Sequence, residues 1–479
     1  MRSLPALRAR AAAACVGALG VLTACPGPAR PVAPPVAAET LEIGRAGEAL
    51  RGVAASADGA VTFALFARSG AAGSGSGSAS GSAGDDVAAA TGARAVVEAR
   101  RGATVAWHAE LAGAGGPIAA SGGLVCAASR VRGTGDGGVA IHGEPGAIVT
   151  ALDAATGAVR WRARLDGNEW IVVTALAAAP DGGCIVGGTF SGTARFDGDV
   201  GAAATGSAAR EPTIVSAASR SDGFVARLAP SGDVAWVTRF GGLGADAVAG
   251  VAAAGNRVAL VGTFASTAVL GGVELPAFDP KSPLADIVVA ELDLATGARA
   301  WAQTFGGAAD DEAAGVAIDA SGRVWVAATA RETVRVADQD FVARGPADGL
   351  VVELSGSGAP QGAALLGGAD FDGLRGVVAA GDRAVVAGFY SGAIQVGAQR
   401  LVAGGGDDAF VAELDPAGGI ARVWPITGPG REDVIALAPL PGGFAVAVSH
   451  TAAATIDGVA VPAPADPLAG AAIAVRAAP

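Results

Sequence analysis

The sequence predicts an all-β fold built from repeated units of short strands, and three observations lead to this expectation. Glycine accounts for 75 of the 479 residues, and each glycine inside a helix costs about 1 kcal/mol relative to alanine. Apolar residues make up 51% of the chain and occur in short Val-rich and Ala-rich runs bounded by turn residues, as in strands. The third observation is internal repetition. Together they exclude a helical bundle and a disordered chain.

One half of the repeat starts at an aspartate, continues through an apolar run to a tryptophan, and ends in Phe-Gly-Gly. Successive strong copies are 64, 62 and 60 residues apart. Two copies depart from the pattern: the fifth has Ala364 where Trp is expected, and the sixth has Ile426-Thr427-Gly428 instead of Phe-Gly-Gly. The copies begin at Asp222, Asp286, Asp348 and Asp408, with weaker ones near Ala93 and Ala147.

The other half has the pattern Gly-Val-Ala followed by a Val-rich strand. Its seven copies begin at Gly52, Leu124, Leu176, Gly250, Gly315, Gly376 and near Phe444. Each half indicates two short strands joined by a turn, and four strands per repeat of about 60 residues are typical of a β-propeller blade. The chain opens with a second half and closes with a truncated first half at 470–476. We therefore predict one propeller over 41–479, with seven four-stranded blades closed by pairing of the N- and C-terminal strands.

These repeats resemble the bacterial β-propeller repeat family often labelled SBBP, which is found in secreted proteins and lipoproteins. The resemblance is carried by Asp-x-Phe-Val-Ala-x-Leu, Trp, Phe-Gly-Gly and Gly-Val-Ala, mainly between Asp222 and Val448. The segment Ala151–Trp161 is also similar to the Trp-docking strand of quinoprotein dehydrogenases and of propeller lipoproteins that assist outer-membrane protein assembly. In both groups, Gly would turn the hairpin and Trp would fill the gap between blades.

The N-terminus predicts export and lipid attachment. A positively charged start precedes an apolar stretch too short to span a bilayer, followed by Leu22-Thr23-Ala24-Cys25. This resembles a bacterial lipobox, which implies a signal peptide over 1–24, lipidation of Cys25 and a Pro/Ala-rich tether over 25–40. Pro26 favours outer-membrane sorting, on the periplasmic or the surface side. A plain secretory signal with a chance cysteine is the alternative.

Charge and loop composition narrow the partners. The formal net charge is −12, which argues against binding to nucleic acid or to anionic membranes, because both need a basic surface. Segment 69–84 is almost pure Gly, Ser and Ala and predicts a flexible loop. The insertions Val131–Gly146 and Val200–Ser221 are interpreted as tolerated loop length rather than binding loops.

Cys126 and Cys184 lie on the same type of strand in neighbouring blades. In an oxidising compartment they could form a disulfide. We expect isolated core thiols instead, because equivalent strands of adjacent blades usually lie too far apart for a bridge.

The one constellation that could carry chemistry is a series of acids. An acid precedes the second-half glycine by four residues in four copies, and Asp433 is assigned to the comparable position in the sixth blade. These carboxylates could form a rim that binds a cation. The interpretation we favour is that each one caps a turn by accepting backbone N–H bonds. The series is Glu48, Asp246, Asp311, Asp372 and Asp433.

No catalytic motif, metal-binding pattern or cofactor site is predicted. His108, His142 and His450 do not match a metal-ligand spacing. The sequence therefore predicts a monomeric, lipid-anchored propeller that acts as a non-catalytic binding or scaffold module for an envelope protein or glycan. The alternatives are a propeller enzyme, such as a quinoprotein-type dehydrogenase or a glycan lyase, and an outer-membrane assembly factor.

Overall fold

The structure is a computed structural model in which part of the chain is described. The described residues are 39–42, 48–56, 58–68, 94–102, 104–132, 145–199, 212–216, 220–279, 281, 283–440, 443–456, 458–464 and 473–476. The signal segment 1–24, Cys25, most of the 25–40 tether and the Gly/Ser segment 69–84 lie outside them. Within the described residues there is no helix that is long and apolar enough to cross a membrane.

The described chain forms 38 strands and no helix. The strands are β1 (Glu39–Glu42), β2 (Glu48–Ala55), β3 (Thr62–Arg68), β4 (Arg94–Arg101), β5 (Thr104–Ala112), β6 (Ala114–Ser121), β7 (Leu124–Arg132), β8 (Pro145–Asp153), β9 (Val159–Gly167), β10 (Trp170–Ala178), β11 (Cys184–Ser191), β12 (Thr193–Asp199), β13 (Thr213–Val215), β14 (Asp222–Leu228), β15 (Val234–Gly242), β16 (Ala247–Ala254), β17 (Arg257–Ala265), β18 (Ala268–Leu270) and β19 (Val273–Leu275). The second half continues with β20 (Ala285–Asp293), β21 (Arg299–Gly307), β22 (Glu312–Ile318), β23 (Val324–Ala330), β24 (Thr333–Val336), β25 (Gln339–Val342), β26 (Asp348–Leu354), β27 (Pro360–Gly368), β28 (Gly373–Ala380), β29 (Arg383–Tyr390), β30 (Ala393–Val396), β31 (Gln399–Val402), β32 (Asp408–Leu414), β33 (Ile420–Thr427), β34 (Glu432–Leu440), β35 (Gly443–His450), β36 (Ala454–Ile456), β37 (Val459–Val461) and β38 (Ile473–Arg476).

The strands form a β-propeller with six blades. The first blade is β2–β5, and the first strands of successive blades lie side by side around one axis in the order β2, β6, β10, β16, β22 and β28. The prediction of seven four-stranded blades is therefore wrong. Between the sixth and first blades lies the hairpin β34–β35, which closes the ring by packing its first strand against β28 and β2.

The terminal strands explain the lower blade count. β1 and β38 pair with each other antiparallel, from Glu39 opposite Arg476 to Glu42 opposite Ile473. The expected pairing of N- and C-terminal strands is present, but in a separate two-stranded sheet. β38 lies beside β35 without joining its sheet, so the described residues form no seventh four-stranded sheet.

Five blades have six strands rather than four, because neighbouring repeats exchange hairpins. The connection between the second and third strands of one blade forms a short hairpin that pairs with the outer strand of the preceding blade. In blade 4, for example, the outer hairpin β24–β25 comes from the chain of blade 5. Part of the Val200–Ser221 insertion is strand β13 in such a hairpin, so interpreting that insertion as loop length was incomplete.

Tryptophan side chains fill the seams between blades, where a seam is the contact between two neighbouring blades. Trp301 of blade 4 packs on the turn at Gly358 of blade 5, and its Nε1 donates to the Gly356 carbonyl at 3.3 Å. Equivalent contacts join Trp107 to Gly157, Trp161 to Gly232 and Trp236 to Gly297. The strand register corrects one expectation: Gly362, not Ala364, occupies the Trp position in blade 5.

Substituting Gly358 with alanine tests this Trp-on-Gly packing. A Cβ on Gly358 would lie 2.5 Å from Trp301 Cδ2, and the backbone has φ of +85°. We expect Gly358→Ala to lower the free energy of unfolding by about 3 kcal/mol, because left-handed strain and overpacking add. Gly381 has φ of +68° with open space around it, so Gly381→Ala should cost only about 1 kcal/mol. Equal losses in urea denaturation would contradict the packing role.

Candidate functional site

The predicted acids lie at one end of the ring, where each first strand begins. The backbone N–H groups of Asp246, Asp311 and Asp372 each donate to a carbonyl just before the third strand of the preceding blade, at 2.8–3.0 Å. All three side chains are buried. They therefore repeat one position around the ring, inside the seams rather than on an open rim.

The carboxylates of these aspartates accept backbone N–H bonds. Asp246 Oδ2 accepts from Gly242 N at 2.8 Å, and its Oδ1 accepts from Ala265 N at 3.2 Å. Asp372 accepts in the same way from Gly368 N at 2.7 Å and Ser391 N at 3.0 Å. The two oxygens thus tie together the outer end of the preceding blade and the end of the second strand of their own blade.

Asp311 uses only one of its oxygens in this way. Its Oδ1 accepts from Arg331 N at 3.0 Å, whereas the buried Oδ2 has no hydrogen-bond partner among the described residues. This difference from Asp246 and Asp372 makes Asp311 the informative member of the series for substitution.

The assignment of Asp433 to this series was wrong, because Glu432 occupies the position. The Glu432 N–H donates to the Asp407 carbonyl at 2.8 Å, as in the three aspartates, and its side chain is fully buried. The signal was available in the sequence: Glu432 precedes Ala436 by four residues, and Ala436 replaces the usual glycine after the β-bulge. Glu48 opens β2, and its side chain lies outside the described residues.

Asp433 instead faces the neighbouring first strand. Its two carboxylate oxygens accept from Arg375 Nε and Nη2 at 3.0 and 3.1 Å. Arg375 is the extra residue of a β-bulge in β28, and bulges of this kind recur in the first strands around the ring. Bulges redirect side chains, and here the redirected arginine forms an ion pair across the blade boundary near the axis.

The second aspartate series, at the start of each third strand, supplies a partner for each seam acid. Asp222, Asp286, Asp348 and Asp408 are buried, and each is the charged neighbour of the acid that follows it in the ring. Four seams therefore hold a pair of carboxyl groups, which we call the seam carboxyl pairs: Asp222/Asp246, Asp286/Asp311, Asp348/Asp372 and Asp408/Glu432.

The Phe-Gly-Gly motif makes room for these pairs. A Cβ on Gly241 would lie 2.7 Å from Asp222 Cγ and 2.8 Å from Asp246 Oδ2. The first glycine of the motif therefore allows the backbone to approach both carboxyl groups. This close approach is a better explanation for the glycine after Phe than turn geometry alone.

Burial and the neighbouring acid raise the pKa values of the seam carboxyls. Burial, and to a smaller extent the paired aspartate, raises the pKa of Asp246, Asp311 and Asp372 to about 7 despite the backbone N–H bonds. Burial beside Asp408 raises the pKa of Glu432 to about 8. Two adjacent buried carboxyls cannot both ionise cheaply, so each pair holds a proton in acidic and near-neutral solution.

The Asp408/Glu432 pair has a third buried polar group beside it. Tyr390 lies opposite Asp408 in the strand register and is fully buried, and burial together with Asp408 raises its phenol pKa. Both Glu432 oxygens lack a donor among the described residues. A proton held between the two carboxyls gives one Glu432 oxygen a hydrogen-bond partner, which a pair of ionised groups could not do.

The acids do not assemble a metal centre in the described part of the chain. No group of three or more His, Cys, Asp or Glu side chains there is arranged to hold a metal ion. His108 lies on β5 and His450 on β35, and His142 lies outside the described residues. The chemistry that the seam carboxyl pairs can perform is binding and releasing protons between blades.

Cys126 and Cys184 form a disulfide, so the expectation of isolated core thiols was wrong. Their Cα atoms are 6.4 Å apart, and the bridge joins blade 2 to blade 3. Cys126 lies opposite Ala119 and Ala151, and Cys184 lies between Ala178 and Leu228 of the neighbouring strands. Both cysteines are completely buried in one apolar cluster.

Comparisons with known proteins give a consistent but weak picture. No protein-family model and no curated protein matches the chain. Among solved structures, BamB from Moraxella catarrhalis is similar at 13% identity and a TM-score of 0.39, covering 89% of this chain and 85% of that one. The quinohemoprotein alcohol dehydrogenase from Comamonas testosteroni has 11% identity and a TM-score of 0.39, with coverages of 89% and 74%. A europium-containing methanol dehydrogenase has 11% identity and a TM-score of 0.39, with coverages of 91% and 92%. Likeness at this level carries no argument about function, and the chain is a β-propeller on the evidence of its own sheets.

Proposed function

We propose that the protein is a lipid-anchored, non-catalytic binding propeller of the bacterial cell envelope, and that its partner is an envelope glycan or protein. One observation carries the binding role: four successive seams share one carboxyl arrangement, whereas the exterior varies. Seam carboxyl pairs repeat in four successive seams, whereas the outer hairpins differ in charge from blade to blade. The repeated seams serve as a scaffold, and we place recognition on the outer hairpins, which vary.

The disulfide supports the proposed location. A fully buried Cys126–Cys184 bridge between blades is expected in proteins that fold outside the reducing cytosol. The lipobox-like segment ending at Cys25 and the SBBP-type repeats point to the same compartment.

The use of the predicted acids supports a non-catalytic role. In Asp246 and in Asp372, both carboxylate oxygens accept hydrogen bonds from backbone N–H groups. Such groups are turned inward and are held by the blades that they join. They are therefore poorly placed to act on a bound molecule.

The anchor is tested by replacing Cys25. In a Gram-negative host, the full chain should enter the membrane fraction with a mass that fits removal of residues 1–24 and addition of lipid. Cys25→Ala should carry no lipid and should keep residues 1–24, because the lipobox-like segment needs its cysteine for both steps, so its mass should differ from that of the mature wild-type chain. Unchanged partitioning and unchanged mature mass in Cys25→Ala would contradict the proposal.

The binding role is tested with purified envelope polysaccharide and with quinone cofactor plus calcium. Co-sedimentation with the polysaccharide and no spectral or thermal shift with the cofactor are expected. A cofactor-dependent dehydrogenase activity would contradict the non-catalytic part.

A further inference from the structure

One blade carries a cationic pocket on its outer part. A cavity of about 300 Å³ lies between the end of β27 and the exchanged hairpin β30–β31 of blade 5. Arg344, Gln395 and Arg400 line it together with small residues such as Ala369 and Ala393, and no acidic side chain lines it. The three polar side chains are exposed to solvent. We infer that this pocket binds an acidic monosaccharide unit, with the sugar carboxylate held by Arg344 and Arg400.

The two guanidinium groups are available to a ligand. The Arg400 side chain makes no hydrogen bond or ion pair with any other described residue. The Arg344 guanidinium donates only from Nη1, to the Gly367 carbonyl at 3.1 Å, and the backbone N–H of Arg344 donates to Asp348 Oδ2 at 3.1 Å. No acidic side chain lines the cavity, so its two arginines give the lining a net positive charge. Arginine favours planar carboxylates, which it can bind through two hydrogen bonds.

The neighbouring blade provides an internal control. In blade 5, Gly367, Gln395 and Arg400 lie opposite one another on three neighbouring strands and form a cross-strand row. The equivalent row in blade 4 is Gly306, Arg335 and Asp340. Arg335 pairs with Asp340 at 2.7 and 3.0 Å. Phe278, which takes the place of Arg344, lies under the Arg335 guanidinium at 5.9 Å. The equivalent site of blade 4 is therefore neutral and already filled.

The other blades also lack the cationic pair. The row in blade 3 contains Val269 and Glu274 and carries one negative charge. The row in blade 6 contains Thr455 and Ala460, and Gly404 takes the place of Arg344. The same backbone frame thus carries two positive charges only in blade 5 among the four blades compared. The frame does not require these two charges, so both arginines can serve a ligand.

The rest of the pocket fits a sugar better than a bare anion. Gln395 donates from Nε2 to the Gly397 carbonyl at 2.8 Å, which leaves its carboxamide oxygen to accept from a hydroxyl group. The small side chains of Ala369 and Ala393 leave space for the C–H face of a sugar ring. The volume lies at the lower end of ligand pockets, which span about 300 to 1,000 Å³, and suits one ring.

Titration of the full chain with sodium glucuronate, followed by calorimetry or ligand-observed NMR, tests the inference. Saturable binding is expected, and it should weaken by about tenfold in Arg344→Ala and in Arg400→Ala, since each removes a charge-assisted hydrogen bond. Glucose should not bind, and sulfate should bind at least tenfold more weakly than glucuronate. Arg94→Ala, which removes an exposed arginine of blade 1, is the matched control and should leave binding unchanged.

Several results would overturn the inference: no saturable glucuronate binding, equal binding by sulfate, or unchanged affinity in both pocket variants. Thermal unfolding of each variant shows that it is folded, and the exposed positions should leave the midpoint unchanged. The inference rests on the proposed binding function but can fail alone. If the protein bound envelope polysaccharide but not glucuronate, only the pocket would be refuted. If it bound glucuronate but carried no lipid, only the anchor would be refuted.

Discussion

Replacing both Cys126 and Cys184 with alanine is expected to lower the free energy of unfolding by about 4 kcal/mol. The bridge joins residues 58 positions apart, and closing a loop of this length removes much of the conformational freedom of the unfolded chain. Alanine is apolar and smaller than cysteine, so the apolar cluster around both positions accommodates it without a clash. The measurement is urea denaturation of the oxidised protein and the double variant.

Reduction provides the control for this prediction. Wild-type protein unfolded and refolded under reducing conditions should show the same stability as the double variant to within about 1 kcal/mol. A double variant as stable as the oxidised wild type would show that the bridge does not hold blades 2 and 3 together.

Raising the pH from 5 to 8.5 is expected to destabilise the propeller through the seam carboxyl pairs. The folded pKa of Asp246, Asp311 and Asp372 is about 7, above the ordinary unfolded value near 3.8. The folded state therefore binds more protons between these values, so stability is full below about pH 4 and falls as pH rises to about 7. Glu432 extends the loss to about pH 8.

Asp311→Asn isolates one of these protons. The asparagine oxygen can still accept from Arg331 N, and the amide carries no proton that titrates in this pH range. We expect the slope of unfolding free energy against pH between 5 and 6.5 to become shallower by one proton, about 1.4 kcal/mol per pH unit. Urea denaturation at four pH values measures this slope, and an unchanged slope would contradict proton sharing at this seam.

Asp246→Asn is the contrasting variant. Both oxygens of Asp246 accept backbone N–H bonds, so the asparagine amide must face a donor and leave one N–H unpaired. We expect a loss of about 1–3 kcal/mol at pH 5, where the wild-type acid is protonated. Equal stability of Asp246→Asn and Asp311→Asn at pH 5 would show that the second backbone hydrogen bond of Asp246 does not contribute to stability.

The repeat predicted much of the interior of the fold. Trp-on-Gly packing follows from residues that recur at a fixed spacing, because each blade must bury the same faces. The hairpin exchange was missed although the signal is present: Thr333–Val342 and Ala393–Val402 each contain two short apolar strands around a turn. Such a hairpin reads as loop within one repeat, since its pairing partner belongs to another repeat.

The candidate site was only partly predictable for a similar reason. The position of Asp246, Asp311 and Asp372 followed from the sequence, but their pairing with the second aspartate series depends on how one blade packs on the next. The Cys126–Cys184 bridge likewise depends on how closely blades 2 and 3 pack at this position. Arg344 and Arg400 are 56 positions apart in the chain and meet only because blade 6 donates its hairpin to blade 5.

Hydrogen–deuterium exchange in the presence of an acidic envelope glycan tests the central claim most directly. The claim is that the outer hairpins, which vary from blade to blade, recognise the ligand. Protection is expected at residues 344–346 and 393–402 of blade 5, with no change at the equivalent hairpin 333–342 of blade 4. Protection at the axis, around Arg375 and Asp433, or no protection in any blade while the glycan is bound, would contradict the claim.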